Sequence, residues 1–297
     1  MKNVSFIGII LFLFIFSSCD NSLEEDKKYA EEKKIESYIS AKKWSYEKAN
    51  GVYHAIVKSS YNYQVNAGDT VKFWFKGYTI VSPIDTFDTN IESTAIATGL
   101  STSTHNFQPI EIVAGKGTLI DGLDQGILLC RLNQVSTILF TSNLGFKGEQ
   151  MENVPVWSPL AFYIEITYLN GPGIEAEKQV LNAIDYTGYS KHESGLYYKF
   201  LVDTSALRPT TADTVYGWYN ISQIDGTSVM ESNIPNEQIA LSDKNVIDAI
   251  KIGFTLMSVG GSAEFIASSP IAFGNNGNKY ISAYQPIRLT MRLDSVK

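Results

Sequence analysis

Apolar and polar positions alternate with a period of two over several short stretches of this chain. Val52–Lys58, Thr70–Gly77, Ile110–Val113, Val135–Thr141 and Leu160–Leu169 combine that alternation with β-branched and aromatic residues, so each is expected to be a strand. Thr86-Phe87-Asp88 is a further short extended piece. The spacing changes to helical between Thr118 and Leu129, where Leu119, Ile120, Leu123 and Ile127 form one apolar face and Thr118 stands as the N-cap. Asn90–Asn106 is rich in Ser, Thr and Ala and reads as an exposed loop. Upstream, Glu31–Trp44 has helix-forming composition with Ile35, Tyr38 and Ile39 on one side.

The same order then recurs. Gly51–Phe75 aligns without a gap on Gly195–Tyr219 at an offset of 144, and Leu119–Ile166 aligns without a gap on Val246–Leu293 at an offset of 127. The offset falls because the first copy has the longer loop. The second copy's helix is expected at Asn245–Leu256, its last strand at Ile287–Leu293 and a leading helix at Ile174–Ile184. The breakers Gly171-Pro172-Gly173 mark the boundary. The expected organisation is a leader over 1–18, an acidic tether over 19–34, a first domain with its N-terminal helix over 35–171 and a second domain over 172–297. A mostly antiparallel sheet with one short helix, written twice, is an α+β pattern.

Composition narrows the class. With 297 residues, 44% hydrophobic and 19% charged, the chain supplies two ordinary cores and is neither disordered nor a coiled coil. A formal net charge of −7 without basic clusters argues against a nucleic-acid partner. At the start, Lys2 precedes the apolar run Val4–Phe16, followed by Phe16-Ser17-Ser18-Cys19. The run is short for a membrane span and has the form of a secretory leader. Its last four residues resemble a bacterial lipobox, which implies cleavage before Cys19 and lipidation of that thiol, anchoring the protein to the cell envelope on the periplasmic face or the cell surface. Asp20, Glu24, Glu25 and Asp26 then read either as a solvated spacer or as the acidic export signal of surface lipoproteins. Cys130 is left without a structural partner and, within the apolar run Ile127–Leu132, is expected to be a small buried hydrophobe. His54, His105 and His192 lack metal-ligand spacing, Gly115-Lys116-Gly117-Thr118 lacks the phosphate-loop spacing, and no G-x-S-x-G occurs.

Five motifs, in order, carry a family resemblance over Gly51–Leu169. They are Gly68-Asp69-Thr70-Val71-Lys72-Phe73-Trp74-Phe75-Lys76-Gly77, Thr86-Phe87-Asp88-Thr89, Leu119-Ile120-Asp121-Gly122-Leu123, Leu144-Gly145-Phe146, and Val154-Pro155 followed by Pro159–Ile166. The first copy therefore resembles the FKBP-type peptidyl-prolyl cis-trans isomerase domain. The second resembles it more weakly over Gly195–Val296: Val229-Met230 replaces Phe87-Asp88, Ala249 replaces Gly122, and Ile281-Ser282 replaces Val154-Pro155.

The resemblance implies two tandem FKBP-like domains, each a twisted antiparallel sheet wrapped on one short helix, the second degenerate. It implies an isomerase of the envelope acting on proline-containing polypeptides, with no cofactor and no metal. Carried onto the first copy, the catalytic positions are Asp88, Phe87, Phe75 and Phe146, and Leu119, Ile120, Leu123, Val154 and Phe162 are substrate-binding walls. Phe75 and Phe146 stand where the family often has Tyr, and Leu123 where it often has Trp, which implies weakened or altered activity. The competing expectation is a non-catalytic tandem module that holds peptide or protein.

Overall fold

The computed structural model describes residues 19–81, 85–103, 106–232 and 237–297. The leader, 1–18, lies outside the described residues, as does His105. Among the described residues no helix is long and apolar enough to cross a membrane.

In domain 1, α1 (Cys19–Lys42) leads into β1 (Tyr46–Ala49), β2 (Val52–Lys58), β3 (Thr70–Thr79), β4 (Thr86–Thr89), α2 (Glu92–Thr98), β5 (Ile110–Val113), α3 (Asp121–Ile127), β6 (Val135–Phe140) and β7 (Leu160–Asn170). The sheet is antiparallel, in the order β1-β2-β6-β7-β3-β4. β3 is the long central strand. It pairs with β7 on one side, and on the other with β5 along Thr70–Phe73 and with β4 along Lys76–Tyr78. Its inward residues Val71, Phe73 and Phe75 are buried, as the period of two demands. The sheet wraps on α3, whose Leu123 and Ile127 join Ile138, Phe140, Leu160 and Ile164 in the core.

Domain 2 repeats the plan with α4 (Pro172–Asn182), β8 (Ser190–Lys191), β9 (Tyr197–Val202), β10 (Thr214–Gln223), β11 (Ser228–Glu231), β12 (Glu237–Ala240), α5 (Asp248–Leu256), β13 (Ser262–Ala267) and β14 (Ile287–Val296). Its order β11-β10-β14-β13-β9-β8, with β12 also on β10, is that of domain 1 strand for strand. The α+β architecture read from the sequence is the architecture found.

Three local expectations change. The stretch 19–34, read as a tether, is part of α1, because its run of Glu, Lys and Ala has high helix propensity and needs no apolar stripe. The loop over 90–106 contains α2, which ends at Gly99 in the left-handed region (φ 73°). Thr118 does not cap α3; the N-cap is Ile120, with no side-chain cap, and its carbonyl accepts from the N–H groups of Leu123 and Asp124.

Both leading helices use one device. Glu31 is buried and accepts from the Ser142 N–H (2.5 Å) and Oγ–H (2.7 Å). At the equivalent place Glu177 accepts from the Ser269 N–H (2.6 Å) and hydroxyl. Burial raises both carboxyl pKa values above the usual range, and the serine hydrogen bonds oppose that rise. Each carboxylate thus ties a leading helix to the start of a one-turn 3-10 segment, Ser142–Leu144 or Ser269–Ile271.

The domains also touch. Ile174, at the start of α4, is buried in the core of domain 1, and Tyr284 packs against the same cluster. The Tyr284 ring lies 6.4 Å from that of Tyr63, and its hydroxyl meets the amide of Asn66. Its counterpart in domain 1, Trp157, shares the backbone angle (φ 56° for both) and lies under the Lys27 ammonium of α1 at 4.0 Å. The same position thus touches the leading helix in one copy and the neighbouring domain in the other.

Candidate active site

A cavity of about 200 Å³ opens between β3, β4, α3 and the segment after β6 in domain 1. Its walls are Phe73, Phe75, Phe87, Asp88, Ile110, Leu119, Ile120, Leu123, Phe146 and Phe162. The structure brings together every residue that the resemblance named except Val154. That side chain is buried in the domain core, next to the cup and outside its lining. Phe73 and Ile110 are walls that the motifs did not single out; both lie on the inward face of paired strands. Among the described residues, none of the long loop that holds α2 lines the cavity.

The cup is aromatic. Phe87 meets Phe146 edge to face (6.0 Å, 78°) and Phe162 likewise (5.6 Å, 79°). Phe162 stacks on Phe140 (5.8 Å, 13°) and lies 6.4 Å from Phe75. These are the offset and T-shaped arrangements that ring quadrupoles favour. Small residues make room for them. A Cβ on Gly77 would stand 2.8 Å from two Phe87 ring atoms and 2.9 Å from Phe162, and one on Gly122 would stand 2.3 Å from Phe140. Asp88 pairs with Gly77 across the β3–β4 ladder and is the acidic member of the cavity wall.

Asn90, which belongs to none of the five motifs, holds the assembly in place. It is buried; its Oδ1 accepts from the Phe75 N–H (2.7 Å), and its Nδ2 donates to the carbonyls of Phe73 (3.0 Å) and Gln108 (2.9 Å). The Thr89 hydroxyl donates to the Phe75 carbonyl at 2.7 Å. Together they replace strand pairing between β4 and β5, so Phe75 and Phe87 are fixed relative to one another.

Domain 2 has a cup at the same place with a different filling. Tyr219 replaces Phe75, Val229 and Met230 replace Phe87 and Asp88, Phe273 replaces Phe146, and Leu289 replaces Phe162. The replacements are correlated. Ile221 occupies the Gly77 position, where the smaller Val229 and Leu289 leave room, and Ala249 with Ala267 replaces Gly122 with Phe140. The cavity, about 330 Å³, is lined mainly by aliphatic and polar residues, with Tyr219 and Phe273 its aromatic members.

Cys130 and His54 are structural. Cys130 is free and buried, and desolvation pushes its thiol pKa up to about 12. Buried His54 sits between Ser136 Oγ (2.8 Å) and Glu47 (3.0 Å). Among the described residues no cluster of His, Cys, Asp or Glu could hold a metal ion.

The family model of the FKBP-type peptidyl-prolyl cis-trans isomerase matches residues 61–167 and 206–293, about two thirds of the chain and both cups. The chain belongs to the FKBP-type peptidyl-prolyl cis-trans isomerase family, with two such domains in tandem. Part of the chain is similar to a peptidyl-prolyl cis-trans isomerase from Pseudomonas syringae pv. tomato (20% identity over 43% of this chain and 98% of that one, TM-score 0.38). A like share is similar to FkpA from Escherichia coli (22% identity over 42% of this chain and 57% of that one, TM-score 0.36). The three FKBP domains of wheat FKBP73 align over 85% of this chain and 99% of that one, at 13% identity and a TM-score of 0.35. A search of curated proteins finds no significant match.

Proposed function

We propose that domain 1 of this FKBP-type protein catalyses cis-trans isomerisation of X–Pro bonds in polypeptides of the bacterial cell envelope, and that domain 2 does not. The observation that carries the reading is the cage of Phe87, Phe146 and Phe162 around a cavity with Asp88 in its wall.

A prolyl amide rotates over a barrier of about 18–20 kcal/mol because the twisted form loses resonance. A catalyst has to favour that twisted form. An aromatic cup of this size takes the pyrrolidine ring and strips water from the preceding carbonyl, whose hydration supports the planar, charge-separated amide. Asp88, the polar member of the wall, would orient the flanking peptide. No nucleophile is required, and the buried thiol of Cys130 plays no part.

The test is a proline cis-trans assay on the full chain. Acceleration above the thermal rate is expected, reduced by Phe146→Ala and by Asp88→Ala. No acceleration, or a rate that both substitutions leave unchanged, overturns the reading. The envelope location rests on the sequence of residues 1–19 alone. Lipidation at Cys19 predicts that fatty-acid label enters the wild-type protein and not Cys19→Ser; label in both would remove it.

A further inference from the structure

We propose that the cavity of domain 2 is a second polypeptide site, which holds an extended segment bearing a bulky apolar side chain beside a lysine or arginine. It binds without turning a prolyl bond, and the inference is independent of whether domain 1 is catalytic.

The floor of the cavity is apolar, formed by Tyr219, Ile221, Met230, Val246, Ile250 and Phe273. At about 330 Å³ it is larger than the cup of domain 1, at about 200 Å³. That volume admits a leucine- or phenylalanine-sized side chain. The cage fitted to a pyrrolidine ring is gone, because Ile221 stands where Gly77 left space and Val229 and Leu289 stand where two phenylalanines met.

The charges around the opening have also been exchanged. Glu237 on β12 pairs with Gly217 in the register that Ile110 holds against Phe73 in domain 1. Asp243 stands 127 positions after Lys116, which is exposed and does not line the first cavity, so this carboxylate is new to the lining. Asp88 has become Met230. Domain 2 therefore has an uncharged interior and two carboxylates among its lining residues, Glu237 and Asp243. Burial, and then the Glu237 carboxylate, hold the Tyr219 phenol above its ordinary pKa, which puts that carboxylate beside the cavity floor. Lys244, the neighbouring cation in sequence, is exposed and not among the lining residues. An aliphatic floor with carboxylates among its lining residues is complementary to an apolar side chain followed by a cation.

The test uses the full chain and two fluorescein-labelled peptides, acetyl-Ala-Ala-Leu-Lys-Ala-Ala and its Leu-Glu counterpart, followed by anisotropy. The lysine peptide is expected to bind roughly fivefold more tightly, as two partly exposed charge pairs would give. The preference should shrink in about 0.5 M salt. Glu237→Gln with Asp243→Asn should abolish the preference, Phe273→Ala should weaken both peptides, and Phe146→Ala should change neither. Should Phe273→Ala fail to fold, Met230→Lys puts a cation in the cavity and should repel the lysine peptide. Equal affinity for the two peptides, no saturable binding, or binding lost in Phe146→Ala and kept in the domain 2 variants would overturn the proposal. A prolyl-bond assay on the same samples separates this outcome from the fate of the isomerase reading.

Discussion

Replacing Gly77 by isoleucine gives domain 1 the residue that domain 2 has at the same place. The first added carbon would stand 2.8 Å from Cε2 and Cζ of Phe87 and 2.9 Å from Cε1 of Phe162. Carbon atoms pack best at about 3.5–4.0 Å, so these contacts fall short by about 0.6–1.2 Å for that carbon alone. Phe162 is buried and stacked on Phe140, and cannot yield. Phe87 is half-buried and on the short edge strand β4, so it is the ring that moves. Overpacking of this kind costs about 1–3 kcal/mol, and the half-exposed position of Phe87 puts the expected cost near 1 kcal/mol, a drop of roughly 4 °C in Tm. The remaining carbons of the isoleucine point into the cavity where the pyrrolidine ring would sit. Prolyl isomerisation is therefore expected to fall at least tenfold, which is about 1.4 kcal/mol of lost transition-state binding. Adding Phe87→Val and Phe162→Leu, the domain 2 partners of Ile221, should restore Tm and leave the rate low. The assays are thermal unfolding and proline cis-trans kinetics on the same samples. A Gly77→Ile protein with the wild-type rate would refute the placement of the prolyl ring in the cavity that Phe87 and Phe162 line.

Other consequences are as direct. Glu31→Ala leaves the buried Ser142 N–H without an acceptor and should cost about 2 kcal/mol in urea unfolding. Because burial raises the folded-state pKa of Glu31, the native protein binds the proton more tightly than the unfolded chain does. Its contribution therefore favours folding most at low pH, and is lost as pH rises from about 4.5 through the raised folded value. Glu31→Gln should gain on the wild type across that window, and a constant difference between pH 4 and 8 would contradict this. In a Cys19→Ser background, Cys130 should resist thiol reagents at about pH 8 until the protein is unfolded, since its pKa of about 12 leaves almost no thiolate. Tyr284→Ala removes the wedge against Tyr63 and Asn66 and should split thermal unfolding into two domain transitions; an unchanged single transition would deny the wedge its role.

Much of the fold could be read from alternation alone: β2 and β5 have the expected bounds, and β3, β4, β6 and β7 differ by one or two residues at an end. The walls of the cup were legible because each lies at a fixed offset in a short motif on an element that is itself easy to recognise. Features that depend on distant partners were not. Nothing local marks Glu31 and Glu177 as buried, since each sits in a charged helix and finds its serine about a hundred residues away. Asn90 looks like any turn residue until its three hydrogen bonds to strand backbone are seen. The second copy's Ala249 and Ile221 look like simple decay; beside Ala267, Val229 and Leu289 they are compensated repacking. Domain 2 has thus been refitted while its scaffold was kept, which is why its cup stays open.

The central claim is that prolyl isomerisation belongs to domain 1 because Phe87 and Asp88 survive there and not in domain 2. The most direct measurement compares the full chain with a double variant, Phe87→Val with Asp88→Met, that gives domain 1 the residues of domain 2. The account predicts a proline-limited rate that drops to the thermal value while far-UV circular dichroism and the binding of the Leu-Lys peptide persist. A double variant that still accelerates isomerisation as the wild type does would contradict it.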